Sequence, residues 1–159
     1  MKTIMLVIAI AVLLPTGHAT AQVTDSAARG VLGMSESEAR EKYGKPIIEG
    51  KHPAAEKTLT FEKDGIYIIT DFLAGKVARV NYVRKDQRPF QRAEAEMLLK
   101  NNTALRWVYI GDPGDGQQWD TADRSTIAIN DTTKSQLSIS TRVFISASQA
   151  ASKAALRGL

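Results

Sequence analysis

Apolar and polar positions change period along this chain, and each change marks an element. From Ser35 the period is helical: Ala39 and Tyr43 share a face within a charged stretch that Gly44 and Pro46 bring to an end. Ser35 and Glu38 stand at capping-box spacing, where hydroxyl and carboxylate each satisfy a free backbone donor of the first turn. Met34, just before the cap, and Ala39 form a hydrophobic-staple pair. From residue 57 the period falls to two. Leu59 and Phe61 alternate with polar neighbours over 57–63, and runs rich in β-branched and aromatic residues cover 66–73 and 76–84. Asp64-Gly65 and Ala74-Gly75 join these runs as tight turns, which makes a meander. The charged stretch Arg84 to Arg88 and Pro89 close this half.

The layout then recurs. Residues 90–102 have a helix-forming composition, with Ala95, Leu98 and Leu99 as the buried stripe and Asn101-Asn102 as the stop. Strands are expected over 105–110, 118–121, 126–130 and 136–145, with turns at Asp123 and Asp131. In the last strand Leu137, Ile139, Val143 and Ile145 point one way, while Ser138, Ser140 and Arg142 point the other. That alternation describes a sheet with one packed face and one wet face. Helix-then-strands thus repeats at a spacing of roughly 55 residues, and Trp119 falls where Phe61 falls in the first copy. The expected fold is α+β: a tandem repeat of a helix plus antiparallel strands, with the helices packed on one face of an antiparallel sheet. The domain spans 33–146, in two pseudo-repeats of about 33–88 and 89–146. The alanine- and serine-rich stretch 147–159 reads as a tail, frayed or disordered.

The start of the chain sets its address. Lys2, the apolar run Ile4 to Leu14, and Ala19-Thr20-Ala21 before Gln22 are the three parts of a secretory signal peptide. The apolar run is about half the length needed to span a bilayer, and Pro15 and Gly17 break it. Residues 1–21 are therefore expected to be removed, leaving a flexible lead-in over 22–32 and a periplasmic or secreted product. The chain has no cysteine, hence no disulfide and no lipidation site, and the mature form is expected to be soluble without a membrane anchor. A net charge of +4 is interspersed along the sequence, and Asp86 interrupts its densest basic stretch. Nucleic acid calls for a basic stripe or cluster, so it is not expected as a partner.

The segment Gly33-Met34-Ser35-x-x-Glu38-Ala39-x-x-x-Tyr43-Gly44-x-Pro46 resembles the opening motif of the SmpA/OmlA family of small outer-membrane assembly lipoproteins. Asp64-Gly65-Ile66 and Ala74-Gly75-Lys76-Val77 are similar to the strand pairs that follow that motif. The tandem layout also resembles the β-lactamase-inhibitor-protein fold. The resemblance implies a binding module without catalysis. The chain departs from the small lipoproteins in lacking their cysteine and in having a second half. The motif residues Gly33, Met34, Ser35, Glu38, Gly44 and Pro46 have a sufficient structural role as cap, staple, stop and breaker.

Little in the sequence points to chemistry. With no cysteine and one histidine in the mature chain, most zinc sites are excluded and a catalytic relay would need His52. The loop Gly111 to Gly116, with Asp112, Asp115 and Asp120 near it, neither alternates its acids nor closes with a glutamate, so it reads as turn chemistry rather than a calcium site. No catalytic residue, metal or cofactor is expected. Trp107, Tyr109 and Trp119 are either core or, on an open sheet face and with Arg142, anchors for a partner. Two functions follow. The favoured one is an exported protein-binding or envelope-assembly module whose partner is another envelope or extracellular protein. The alternative is a small secreted hydrolase or ligand-binding protein using His52 and nearby carboxylates.

Overall fold

The computed structural model describes residues 30–103 and 105–157; the expected signal peptide and residues 22–29 of the lead-in lie outside them. Ser35 caps helix α1 (Glu36–Tyr43) as its spacing requires. Its hydroxyl accepts the Glu38 N–H at 3.4 Å, and its own N–H donates to the Glu38 carboxylate at 2.7 Å. Gly44 ends the helix at φ +85°, in the left-handed region open to glycine. The residues just before the cap are built into the domain. Val31 is fully buried, Gly33 N–H donates to the Val77 carbonyl, and Val77 N–H donates to the Met34 carbonyl. Val31 and Leu32, expected in the flexible lead-in, thus belong to the packed domain.

Eight strands follow in two runs: β1 (Ile48–Gly50), β2 (Lys57–Lys63), β3 (Ile66–Leu73) and β4 (Lys76–Arg84), then, after helix α2 (Arg92–Lys100), β5 (Trp107–Gly111), β6 (Gly116–Thr121), β7 (Thr126–Asp131) and β8 (Gln136–Thr141). They form one antiparallel sheet in the order β1-β2-β3-β4-β8-β7-β6-β5. Each run is a meander, and the two meanders join through their last strands. The β2–β3 and β3–β4 hairpins turn on Asp64-Gly65 and Ala74-Gly75, whose φ values of 52° and 75°, and 51° and 70°, are all left-handed. Alanine is an unusual choice there. The Glu56 carboxylate accepts the N–H of Ala74 at 3.0 Å and of Gly75 at 3.1 Å, which holds that turn.

Cross-strand register sorts the side chains onto two faces. One face carries Leu59, Phe61, Ile68, Val80, Tyr82, Leu137, Ile139, Ala128 and Trp119, all buried. Ala39 and Tyr43 of α1 and Ala95, Leu98 and Leu99 of α2 pack into the same cluster. The other face carries, across the sheet, Thr58, Asp71, Arg79, Ser140, Ile127, Asp120 and Val108.

The C-terminal segment departs from expectation. The last strand stops at Thr141, and Arg142–Arg157 is helix α3. Leu137, Ile139, Val143 and Ile145 do alternate, but Phe144, Ala147 and Ala151 also fall at helical spacing, and these are the residues that pack. Val143 is accordingly 68 % exposed, outside the core expected for it. Residues 147–157 continue an ordered element rather than a tail. Phe144, Ala147 and Ala151 join a second cluster with Ala54, Ala55 and Ala78, beside Arg79 on the face opposite α1 and α2. The helices are therefore not confined to one face.

Candidate binding face

The face opposite α1 and α2 has two unlike ends. At one end α3 covers it. The Asp71 carboxylate, fully buried, accepts the Thr58 hydroxyl at 2.6 Å and Arg79 Nε at 2.6 Å. The Arg79 guanidinium in turn lies 4.7 Å from the centre of the Phe144 ring. A buried carboxylate needs such partners, and here the charged pair and the helix stabilise one another. The other end lies over β5 to β7, which α3 meets through the Arg142–Asp120 ion pair. Val108, Ile110 and Ile129 are 41 %, 56 % and 42 % exposed there. The outer edge of β5 also has no strand beside it among the described residues. Around these side chains stand Gln118, Ser138 and the Asp120–Arg142 ion pair at 2.8 Å.

Of the residues singled out from sequence, the three aromatics lie elsewhere. Trp119 is 2 % exposed and belongs to the core under α2. The Tyr109 and Trp119 ring centres are 5.4 Å apart, Trp107 Nε1 donates to the Leu99 carbonyl at 2.9 Å, and the Arg92 guanidinium covers the Tyr109 ring at 3.9 Å. The three aromatics come together, as their clustering in sequence suggests, and line a cavity of about 610 Å³ with Leu99, Leu105 and Arg106. They face α2 and not the open side. Arg142, expected on the wet side of a strand, is the first residue of α3 and bonds Asp120, whose other oxygen is buried without a hydrogen-bond partner among the described residues. The residues that sequence reasoning missed are Val108 and Ile110. Val108 alternates with Trp107 and Tyr109 along β5, so placing the aromatics inside turns it outward, and Ile110, exposed, lies at a bulge in the β5–β6 register between Tyr109 and Gly111. That alternation was the available signal.

Histidine and the acidic loop sit in ordinary surroundings. His52 Nδ1 accepts the Ala54 N–H at 3.1 Å, and its ring packs 5.8 Å from that of Phe144. No carboxylate is bonded to it among the described residues. In the loop between β5 and β6, Asp112 accepts the Tyr109 hydroxyl and thereby holds that phenol above its usual value. The Asp115 carbonyl accepts both the N–H and the hydroxyl of Thr132, tying the loop to the β7–β8 turn. Among the described residues no group of three His, Asp or Glu is placed to hold a metal ion.

No protein-family model matches the chain, and no curated protein matches it. Among solved structures it is similar to a cysteine-rich secretory protein of Staphylococcus aureus, at 11 % identity and a TM-score of 0.40 over 70 % of this chain and 45 % of that one. It is also similar to an extracellular protein containing an SCP domain from Bacillus anthracis, at 10 % identity and a TM-score of 0.45 over 89 % and 53 %. The chain spans about half the length of these structures. A likeness at this level assigns no function. Among the described residues no helix is long and apolar enough to cross a membrane.

Proposed function

We propose that this chain is an exported, non-catalytic protein-binding module that docks its partner on the bare end of the sheet, over β5 to β7. One observation carries the reading: Val108, Ile110 and Ile129 are exposed at the same end of the sheet, next to an unpaired strand edge. An apolar patch of this kind is a hazard unless something covers it, and an unpaired edge is the surface to which a further strand adds. The partner that fits is an extended protein segment, apolar at alternate positions. It pairs with β5 and lays its apolar side chains on the patch, and Gln118 and Arg142 supply a polar rim.

Two further expectations belong to this proposal. The mirrored strand order supports reading the chain as two copies of one helix-plus-strands unit, in line with its resemblance to the SmpA/OmlA and β-lactamase-inhibitor-protein group. The export signal supports a periplasmic or secreted address, and N-terminal sequencing of the exported protein should begin at Gln22; an intact Met1 would overturn that address. The hydrolase reading gains nothing from the surroundings of His52, whose Nδ1 is occupied by a backbone N–H.

The test of the docking face is a pair of substitutions, Ile110→Asp and Ile129→Asp. Both should leave the circular-dichroism spectrum and unfolding midpoint close to wild type while abolishing capture of the partner from extracellular and envelope material. Capture that is undiminished in both variants would overturn the proposal. If sedimentation instead shows a dimer that the variants dissociate, the occupant is a second copy of this chain and the separate partner is ruled out.

A further inference from the structure

On the opposite side of the sheet, the ends of α1 and α2 and the β2–β3 turn enclose a groove of about 700 Å³, within the ~300–1,000 Å³ typical of small-molecule sites. Its floor is apolar and aromatic, formed by Tyr43, Ile66, Ile68, Tyr82 and Leu98. The floor is fixed in place. The Tyr82 hydroxyl accepts Asn102 Nδ2 at 2.9 Å, and the Tyr43 ring packs 5.4 Å from that of Phe61. Three lysines, Lys42, Lys63 and Lys100, stand on the lining against a single carboxylate, Asp64.

What distinguishes these lysines is that they line one groove; Lys45, Lys51 and Lys153 also have no ion-pair partner among the described residues but lie outside it. Lys57, Lys76, Lys85 and Lys134 each reach a carboxylate within 4 Å, whereas none of the three groove lysines has an ion-pair partner among the described residues. Partial burial, and then the neighbouring Lys63 ammonium, hold the Lys42 amine below its usual value. Like charges gathered over an apolar floor repel one another and are relieved by an anion placed between them.

We propose that this groove binds an organic anion, a carboxylate or phosphate held by Lys42, Lys63 and Lys100 with its apolar body laid on Tyr43, Ile68 and Leu98. The site lies on the other side of the sheet from the docking face, and neither reading depends on the other.

The experiment is a calorimetric titration of the mature chain, below micelle-forming concentration, with decanoate, decyl phosphate, decanol, decyltrimethylammonium and inorganic phosphate. Both organic anions should bind at least about tenfold more tightly than decanol, and the cation and inorganic phosphate should bind no better than decanol does. Decanoate favoured over decyl phosphate would assign a carboxylate source, and the reverse a phosphate source; either outcome supports the site. Lys63→Gln and Lys100→Gln, both at exposed positions, should each weaken anion binding by about two- to fivefold and leave decanol unchanged. Ile110→Asp on the far face should change neither. Anions that bind no better than the alcohol would overturn the proposal, as would lysine variants without effect in a chain shown to be folded. Inorganic phosphate matching decyl phosphate would overturn the role of the apolar floor.

Discussion

The two faces of the sheet are built from the same strands and meet different fates. Under α1 and α2, β2, β3, β4 and β8 turn a largely apolar set inward and β5 and β6 add Trp107, Tyr109 and Trp119. Trp119, Phe61, Leu137 and Ile139 are all at most 2 % exposed. On the other face the same strands present Thr58, Asp71, Asn81, Ser138 and Ser140, with Tyr67, Ile69 and Val83 half-buried among them, and the apolar residues of the β5–β7 end are the more exposed. The difference teaches where stability resides and where the surface is free for other work. A face covered by two helices gains from every buried methylene. A face covered at one corner by α3 depends there on a buried ion pair. The remaining end contributes little to the fold, so it can be given to a partner.

The largest effect should come from the packed face. Trp119→Ala removes a buried ring that touches Tyr109 and should cost about 3–5 kcal/mol, read as a lowered urea midpoint. An unchanged midpoint would mean that the core is not where the register puts it. Next comes the corner under α3. Asp71→Ala leaves the partly buried Arg79 without its carboxylate and should cost about 3 kcal/mol while loosening α3, which hydrogen exchange along residues 142–157 would report. Exchange in α3 equal to wild type would show that the helix stands independently of the pair.

Local signals come third. Ser35→Ala opens the capping box and should cost about 1 kcal/mol in thermal or urea melts. A smaller effect lies at the β7–β8 turn. There the Thr133 hydroxyl, then Lys134, hold the Asp131 carboxyl down to about 2 from its ordinary 3.8. Because the folded value is depressed, its stabilising contribution is complete above pH 3.8 and is lost as pH falls through about 2. Asp131→Asn should therefore flatten the acid limb of the stability curve in that window, and an unaltered acid limb would remove the carboxylate from the account. The smallest effect belongs to the bare end: Ile110→Ser should change stability by less than about 0.5 kcal/mol, and a large loss would make Ile110 part of a core.

How much of this was legible in the sequence follows from how local each signal is. The capping box at Ser35 and Glu38 and the Asp64-Gly65 and Ala74-Gly75 turns are decided by neighbours in the chain, and they fold as read. Strand β1 was missed because three residues, Ile48 to Gly50, are too few to show a period and form only by pairing with β2. Helix α3 was misread because Leu137, Ile139, Val143 and Ile145 keep a period of two across a boundary that no proline or glycine marks. What decides the boundary is Phe144 meeting Ala54, Ala55 and Ala78, far off in sequence. The aromatic cluster was visible, but its side was not. Whether Trp107 and Tyr109 or Val108 and Ile110 face inward depends on register with β6, which no short-range pattern states. The lysine groove draws on three separate elements and leaves no trace in any one of them.

The central claim is that the bare end of the sheet, and not the helix-covered side, meets a protein partner. It is tested most directly by placing a photo-crosslinking amino acid at position 110 in the producing cell, with position 97 on α2 as the comparison, since Met97 is also apolar and 60 % exposed. The account predicts one defined adduct with another protein from position 110 and none from position 97. Adducts of equal yield from both positions, or none from position 110, would contradict it.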